Sequence, residues 1–174
     1  ILHYKPSGKA YQIRGNERAF KKNARHNLNW LQPLLDSELP IVGIEPATTL
    51  LWQKEYYNLT GFKHNNSVML PQEWLLHEDL SPVKLQGLWR LFPHCIEKSV
   101  AQSSQIAWKK IFNKLGAELD IIETSCCGMG GLFGHEREHQ QQSIKIWDQH
   151  WAPHEPAIEH SLITGYSCYS QAKR

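Results

Sequence analysis

The chain has 174 residues, a length that suits one domain with a substantial buried core. Its 19 lysines and arginines nearly balance its 17 aspartates and glutamates, so the basic surface of a nucleic-acid-binding protein is excluded. Hydrophobic residues make up 41% of the chain, and no apolar run approaches the roughly 20 residues that span a bilayer. We therefore expect a globular protein with no nucleic-acid partner and no transmembrane segment.

The first residues of the chain show neither an initiating methionine nor a basic segment followed by an apolar stretch. The lack of a signal peptide predicts a cytoplasmic protein, at most peripheral to the inner membrane. The lack of methionine indicates a fragment of a longer polypeptide.

Apolar runs and amphipathic stretches alternate along the chain. Helical periodicity indicates helices, and short apolar runs bounded by proline, glycine or polar residues indicate strands. In chain order the predictions are a helix over 16–35, strands over 41–44 and 89–92, a helix over 99–115, a strand over 119–122, a helix over 135–151 and a strand over 161–164. This alternation predicts an α/β fold with mainly parallel sheets flanked by helices.

A weak internal similarity relates two parts of the chain. Residues 41–48 and 162–168 both read as a short strand that delivers a small polar residue to the start of a helix. This predicts a single cysteine-rich domain over 1–174 with two pseudo-repeated halves, 1–80 without cysteines and 81–174 with all four. Thr48 then stands where the first half has lost a cysteine.

Four cysteines are too few for a disulfide-built scaffold, and the neighbours Cys126 and Cys127 would form a strained ring if bridged. Cys95, the Cys126-Cys127 pair and Cys168 each follow a predicted strand. The carboxyl ends of parallel strands share one edge, which is where open sheets bind ligands. Helix N-termini at that edge favour the ligating thiolate. Small buried apolar residues are the alternative interpretation, but four equivalent strand ends favour an iron–sulfur cluster or a tetrahedral Zn²⁺.

The order of Cys95, Cys126-Cys127-Gly128 and Cys168 resembles the Cys-Cys-Gly domain of heterodisulfide reductase subunits, anaerobic glycerol-3-phosphate dehydrogenase and lactate-utilisation proteins. Domains of that family bind iron–sulfur clusters or, in some members, zinc. Nearly the whole chain is also similar to the C-terminal region of bacterial FAD-linked oxidases of the D-2-hydroxyglutarate/D-lactate dehydrogenase type. The similar segments are YKPSGK (4–9), LPQEWL (70–75), PHCIEK (93–98), CCGMGG (126–131), GHE (134–136) and TGYSCYSQ (164–171).

The resemblance implies an iron–sulfur-binding electron-transfer module of an FAD-linked 2-hydroxy-acid dehydrogenase, with Cys95, Cys126, Cys127 and Cys168 as ligands. It also implies FAD and ferredoxin-like domains upstream in the same polypeptide and an unidentified electron acceptor, so the fragment alone should be inactive. Gln171 stands where the wider family has its last cysteine, which favours a four-thiolate [4Fe–4S] centre over a non-cubane cluster. Three alternatives stay open. The metal could be zinc, which would make the domain structural. The metal could be lost in an aerobic preparation, and the chain could form a homo-oligomer.

Six further residues are predicted to surround the thiols. Glycines let the backbone approach a cluster and donate N–H groups to its sulfurs. His94 is either a zinc ligand or a partly buried neighbour of Cys95. His135 and Glu136 either contact the cluster or an acceptor, or cap a helix. The six residues are His94, Gly128, Gly130, Gly131, His135 and Glu136.

Residues 135–139 match the zinc-peptidase pattern H-E-x-x-H, with His135 and His139 as ligands and Glu159 as a candidate third. However, His135 directly follows a glycine-rich loop, and Glu159 directly precedes a predicted strand. The peptidase is therefore the remote alternative. The loop also fails the G-x-G-x-x-G frame of nucleotide-binding loops, because Phe133 stands where the last glycine belongs.

Overall fold

The computed structural model describes residues 5–37, 39–56, 58, 68–81, 83–131, 133–154 and 158–174. Tyr4, in the first of the family segments, lies outside them. The chain divides into two compact units, Ile1–Gly43 with Thr48–Leu70, and Ile44–Ala47 with Pro71–Arg174. The helices are α1 (Lys9–Ile13), α2 (Glu17–Leu35), α3 (Pro46–Leu50), α4 (Pro71–Leu75), α5 (Cys95–Val100), α6 (Ser103–Lys114), α7 (Gln140–His150) and α8 (Tyr166–Ala172). The strands are β1 (Ile41–Val42), β2 (Val68–Met69), β3 (Leu88–Phe92), β4 (Glu118–Ile121) and β5 (Ser161–Ile163).

Helix α2 organises the first unit, as its amphipathic pattern predicts. The Asn16 side chain caps it by accepting a hydrogen bond from the Ala19 N–H at 3.1 Å. The buried face of α2 packs against a π-helical turn over Leu51–Tyr56. Strands β1 and β2 pair in parallel. Strand β1 is shorter than predicted because the chain turns after Val42 and leaves Ile44 85% exposed.

The second unit contains a three-stranded parallel sheet in the order β4-β3-β5. Helix α6 covers one part of it with Trp108, Ile111 and Phe112, which pack together with Leu91 of β3. The predicted α/β class and the predicted parallel strands are confirmed. The three strands run in the same direction, so their carboxyl ends lie at one edge of the sheet.

Two helix predictions were wrong in extent. The helix predicted over 99–115 is two helices, α5 and α6, because the backbone leaves the helical region at Ala101. The helix predicted over 135–151 begins as α7 only at Gln140. Before it lie two short 3-10 turns, separated by the extended backbone of Glu136. Among the residues described, no helix is long and apolar enough to cross a membrane.

Candidate metal centre

The parallel sheet brings all four cysteines to its carboxyl edge. Cys95 is the first residue of α5, directly beyond β3. Cys126 and Cys127 lie in the loop that follows β4, and Cys168 lies in α8 after β5. Strand β3 lies between β4 and β5. Cys95 therefore follows the central strand, and the other three cysteines follow its two neighbours.

The four thiols interact in sequence, and we call this series the thiol row. Cys126 and Cys127 shift each other's pKa, the pKa of Cys127 also responds to Cys168, and the charge of Cys126 raises the pKa of Cys95. All four are free thiols; Cys95 is exposed, whereas Cys127 and Cys168 are buried. With the side chains as they stand, the described parts of the chain contain no group of three His, Cys, Asp or Glu residues placed to hold one metal ion. The cysteine side chains must therefore move before all four thiols can bind a single metal centre.

The proximity of the thiols suppresses their ionisation. A hydrogen bond with Cys127, together with burial, raises the pKa of Cys126 well above its usual value. A hydrogen bond from Cys126 lowers the pKa of Cys127, but the hydrogen bond to Cys168 and burial outweigh it and raise that pKa to about 12. Desolvation, followed by the charge of Cys126, raises the pKa of Cys95. Closely spaced thiols of this kind fit the donor chemistry of a cation that displaces their protons on binding.

The loop after the cysteine pair turns its backbone toward the sulfurs. The Gly128 N–H donates to Cys126 Sγ at 3.4 Å. The Gly130 N–H lowers the pKa of Cys126, and the Met129 N–H lowers the pKa of Cys127, so both favour the thiolate. Gly128, Gly130 and Gly131 all have positive φ. Backbone donors near sulfur stabilise ligating thiolates, and the role of the glycines around a bound cluster stays a prediction.

His94 is buried beside Cys95 and begins α5. Its Nδ1 accepts a hydrogen bond from the Ile96 N–H at 3.3 Å, so the ring acts as the N-cap of the helix. Burial lowers the pKa of His94, against the opposing charges of Glu45 and Glu97. The neutral ring that results is the form that can accept this bond.

His135 and His139 lie in separate 3-10 turns and not on one continuous α-helix. His139 Nδ1 is 2.8 Å from Glu136 Oε2, and its ring stacks on Phe133 with 4.4 Å between centroids. Glu159 is exposed in another 3-10 turn, just before β5. The i, i+4 placement of two imidazoles on one helix face, on which the peptidase pattern depends, is not formed here.

Several residues around the thiols escaped prediction from the sequence. Phe92 and Trp151 stack at 5.3 Å and pack in one buried cluster with Cys127, Met129 and Cys168. The Trp151 indole N–H donates to the Ser125 carbonyl, just before the cysteine pair. These contacts exclude water from Cys127 and Cys168, which we call the inner thiols. The sequence held one signal of this, the four-residue spacing of Trp147 and Trp151, whose rings stack at 5.1 Å.

Gln171 and Glu45 also contribute to the site. Gln171 is buried, and its amide donates to the Ser143 carbonyl and hydroxyl at 3.2 and 3.1 Å, which ties α8 to α7. The Glu45 carboxylate accepts a hydrogen bond from the Tyr166 N–H at 2.6 Å, at the start of the helix that carries Cys168. The position where the wider family has a cysteine is therefore used for packing in this chain.

We expect the thiols to react with iodoacetamide in the order of their exposure. Brief alkylation of the reduced, metal-free chain should label Cys95 well before Cys127, because Cys95 is exposed whereas Cys127 is buried and has a raised pKa. Peptide mass spectrometry after a time course measures this order. Labelling of Cys127 ahead of Cys95 would show that the buried end of the row is open in solution.

Comparison with known proteins indicates what the chain is similar to. The family model described as the CCG cysteine-rich domain matches residues 89–157, which include Cys95, Cys126 and Cys127. This part of the chain is therefore similar to the cysteine-rich CCG domain. Over its whole length it is similar to D-2-hydroxyglutarate dehydrogenases, with 40% identity to that of Pseudomonas putida, 35% to that of Haemophilus influenzae and 33% to that of Escherichia coli. No solved structure matches the chain.

The similarity covers all of this chain but only 17–18% of the length of those relatives. The chain thus corresponds to one segment of much longer oxidoreductases, and the remaining parts of such an enzyme belong to other domains of the same polypeptide.

Proposed function

We propose that the chain is an iron–sulfur-binding electron-transfer module of an FAD-linked 2-hydroxy-acid dehydrogenase. The observation that carries the proposal is the row of four thiols at the carboxyl edge of the β4-β3-β5 sheet. The match of residues 89–157 to the CCG domain and the similarity to D-2-hydroxyglutarate dehydrogenases support the oxidoreductase context. The names of those relatives make D-2-hydroxyglutarate the first substrate to test in the whole enzyme.

The residues present fit a thiolate-ligated cluster in their chemistry. Cys95, Cys126, Cys127 and Cys168 supply four sulfur donors, and a [4Fe–4S] cluster held by four thiolates transfers single electrons when bound. Backbone N–H groups of the Gly128–Gly130 segment donate toward the sulfurs. The buried rings of Phe92 and Trp151 keep water from the inner thiols. The exposed position of Cys95 leaves one side of the row open toward solvent or another domain.

Within the whole enzyme, we propose that an upstream FAD domain takes hydride from the hydroxy acid and that a ferredoxin-like domain lies between it and this module. An electron acceptor completes the sequence of transfers. The proposed location is the cytoplasm, at most peripheral to the inner membrane. Because the proposed hydride acceptor is the FAD of the upstream domain, we expect the isolated chain to be inactive toward the hydroxy acid.

Anaerobic purification followed by iron and acid-labile sulfide analysis tests the proposal. We expect about four iron and four sulfide per chain, with visible absorbance and an EPR signal on reduction. The Cys127→Ser variant should lose both, because it removes the central thiol of the row. A matched variant, Ser125→Ala, alters a side chain next to the pair and should retain them.

Two results would contradict the proposal. Stoichiometric zinc without iron in the anaerobic protein would mean a redox-silent structural staple. Metal that persists in the Cys127→Ser variant would place the binding site elsewhere, with His135 and His139 as the residues to examine next.

A further inference from the structure

We infer that Thr164 and Glu97 are positioning residues that fix the distance between the two ends of the thiol row. This inference rests on the proposed function, since it concerns how the four thiols are held for one centre. The ends of the row are Cys95, the first residue of α5, and Cys168, in α8, and these helices follow the neighbouring strands β3 and β5. A single centre must engage both thiols, so whatever fixes α5 relative to the start of α8 determines whether four thiols can share it.

Thr164 joins the elements that carry the two end cysteines. Its hydroxyl accepts a hydrogen bond from the His94 N–H at 2.8 Å, immediately before Cys95. The same hydroxyl donates to Glu97 Oε2 at 2.5 Å, in the first turn of the Cys95 helix. Thr164 itself lies between β5 and α8, the helix of Cys168. We call this pair of bonds the Thr164–Glu97 bridge.

Glu97 is anchored from its other side. The carboxylate is 1% exposed, and its Oε1 accepts hydrogen bonds from the Gln72 amide, at 2.9 Å, and from the Ser104 hydroxyl. Gln72 belongs to α4 and Ser104 to α6, and both side chains are buried. The carboxylate therefore holds three helices and the end of β5 in one hydrogen-bonded network.

Apolar packing could also hold these elements together, but a network of buried polar groups does so only if each group is hydrogen-bonded. An unsatisfied buried carboxylate or hydroxyl is destabilising, whereas a fully bonded one fixes direction as well as distance. Apolar contacts tolerate sliding between elements, but the Thr164–Glu97 bridge permits one relative placement of α5 and the β5–α8 turn. Outer contacts that orient ligands commonly change metal affinity by about 10–100-fold when they are removed.

The inference is tested in the full chain with Co²⁺ alone as the probe. Thr164→Val keeps the shape of the side chain but removes the hydroxyl, and Thr164→Ser keeps the hydroxyl. Anaerobic titration, followed by the thiolate-to-cobalt absorption, gives affinity and coordination. We expect about tenfold or weaker binding in Thr164→Val with an altered spectrum, and binding within about threefold of the unmodified chain in Thr164→Ser.

A metal-free measurement accompanies the titration. In Thr164→Val we expect Cys168 to be alkylated severalfold faster, because the β5–α8 turn is no longer held to α5. Ile111→Val, in the core cluster away from the thiols, serves as the stability control. It should lower the melting temperature and leave Co²⁺ affinity and Cys168 labelling unchanged.

The outcomes separate this inference from the proposed function. If the unmodified chain binds Co²⁺ tightly and Thr164→Val binds it equally well with the same spectrum, the inference is wrong while the metal site stands. It is also wrong if Ile111→Val weakens binding as much as Thr164→Val, since loss of stability alone would then explain the effect. If the unmodified chain shows no thiolate-to-cobalt absorption, the thiols do not converge on one metal ion and this inference is wrong, whereas the proposed function is decided by the iron and sulfide analysis.

Discussion

Gly128→Ala should destabilise the second unit by roughly 2–6 kcal/mol and abolish metal binding. A Cβ on Gly128 would lie 2.2 Å from the Ser143 carbonyl oxygen of α7, and φ at this position is +91°. Left-handed backbone strain contributes about 1–3 kcal/mol, and overpacking contributes about 1–3 kcal/mol more. The helix cannot easily withdraw, because Gln171 binds both the carbonyl and the hydroxyl of Ser143.

Gly131→Ala is the matched control for this prediction. Gly131 lies in the same loop with φ +67°, but among the described residues, its chain neighbours aside, no atom lies within 4 Å of an added Cβ. It therefore carries the backbone strain alone, and we expect a loss of about 1–2 kcal/mol. Urea unfolding of the metal-free variants measures the difference. Equal losses in the two variants would mean that contact with α7 does not limit the loop in solution.

Gly165→Ala should also lower the unfolding free energy strongly, and it should change the placement of Cys95 relative to Cys168 in the thiol row. An added Cβ would lie 2.4 Å from His94 Cδ2, at a φ of +101°. The His94 ring is buried and held by its bond to the Ile96 N–H, and its backbone is held by Thr164. Separation of Cys95 from Cys168 is the expected result, with a loss of roughly 2–6 kcal/mol in unfolding free energy.

A double variant distinguishes contact from strain at this position. In Gly165→Ala with His94→Ala the ring that meets the new Cβ is gone, so the combined loss should be smaller than the sum of the single losses by about 1 kcal/mol or more. Gly87→Ala is the control, since Gly87 has φ +81° and an added Cβ would meet no atom within 4 Å in the part of the chain that the structure describes, its chain neighbours aside. Additive losses in the double variant would contradict the proposed contact between Gly165 and His94.

The fold class and the positions of the three strands of the second unit could be predicted because they depend on local patterns. Short apolar runs such as 89–92 and 119–122 indicate buried strands, and their alternation with helices indicates a parallel sheet. Helix boundaries depended on more than periodicity. The N-cap bond of His94 starts α5 at Cys95, and the contacts of Glu136 and Phe133 with His139 accompany the turns that delay α7.

The sequence by itself determined the chemistry of the site: four cysteines at equivalent strand ends, and glycines directly after the central pair. The placement of the thiols relative to one another was decided by the tertiary structure, because the strand order β4-β3-β5 puts the strand before Cys95 between the strand before the Cys126-Cys127 pair and the strand before Cys168. The Thr164–Glu97 bridge was likewise beyond reach of the sequence. Gln72, Glu97, Ser104 and Thr164 follow no shared local pattern, and only the packing of four elements brings their side chains within hydrogen-bonding distance.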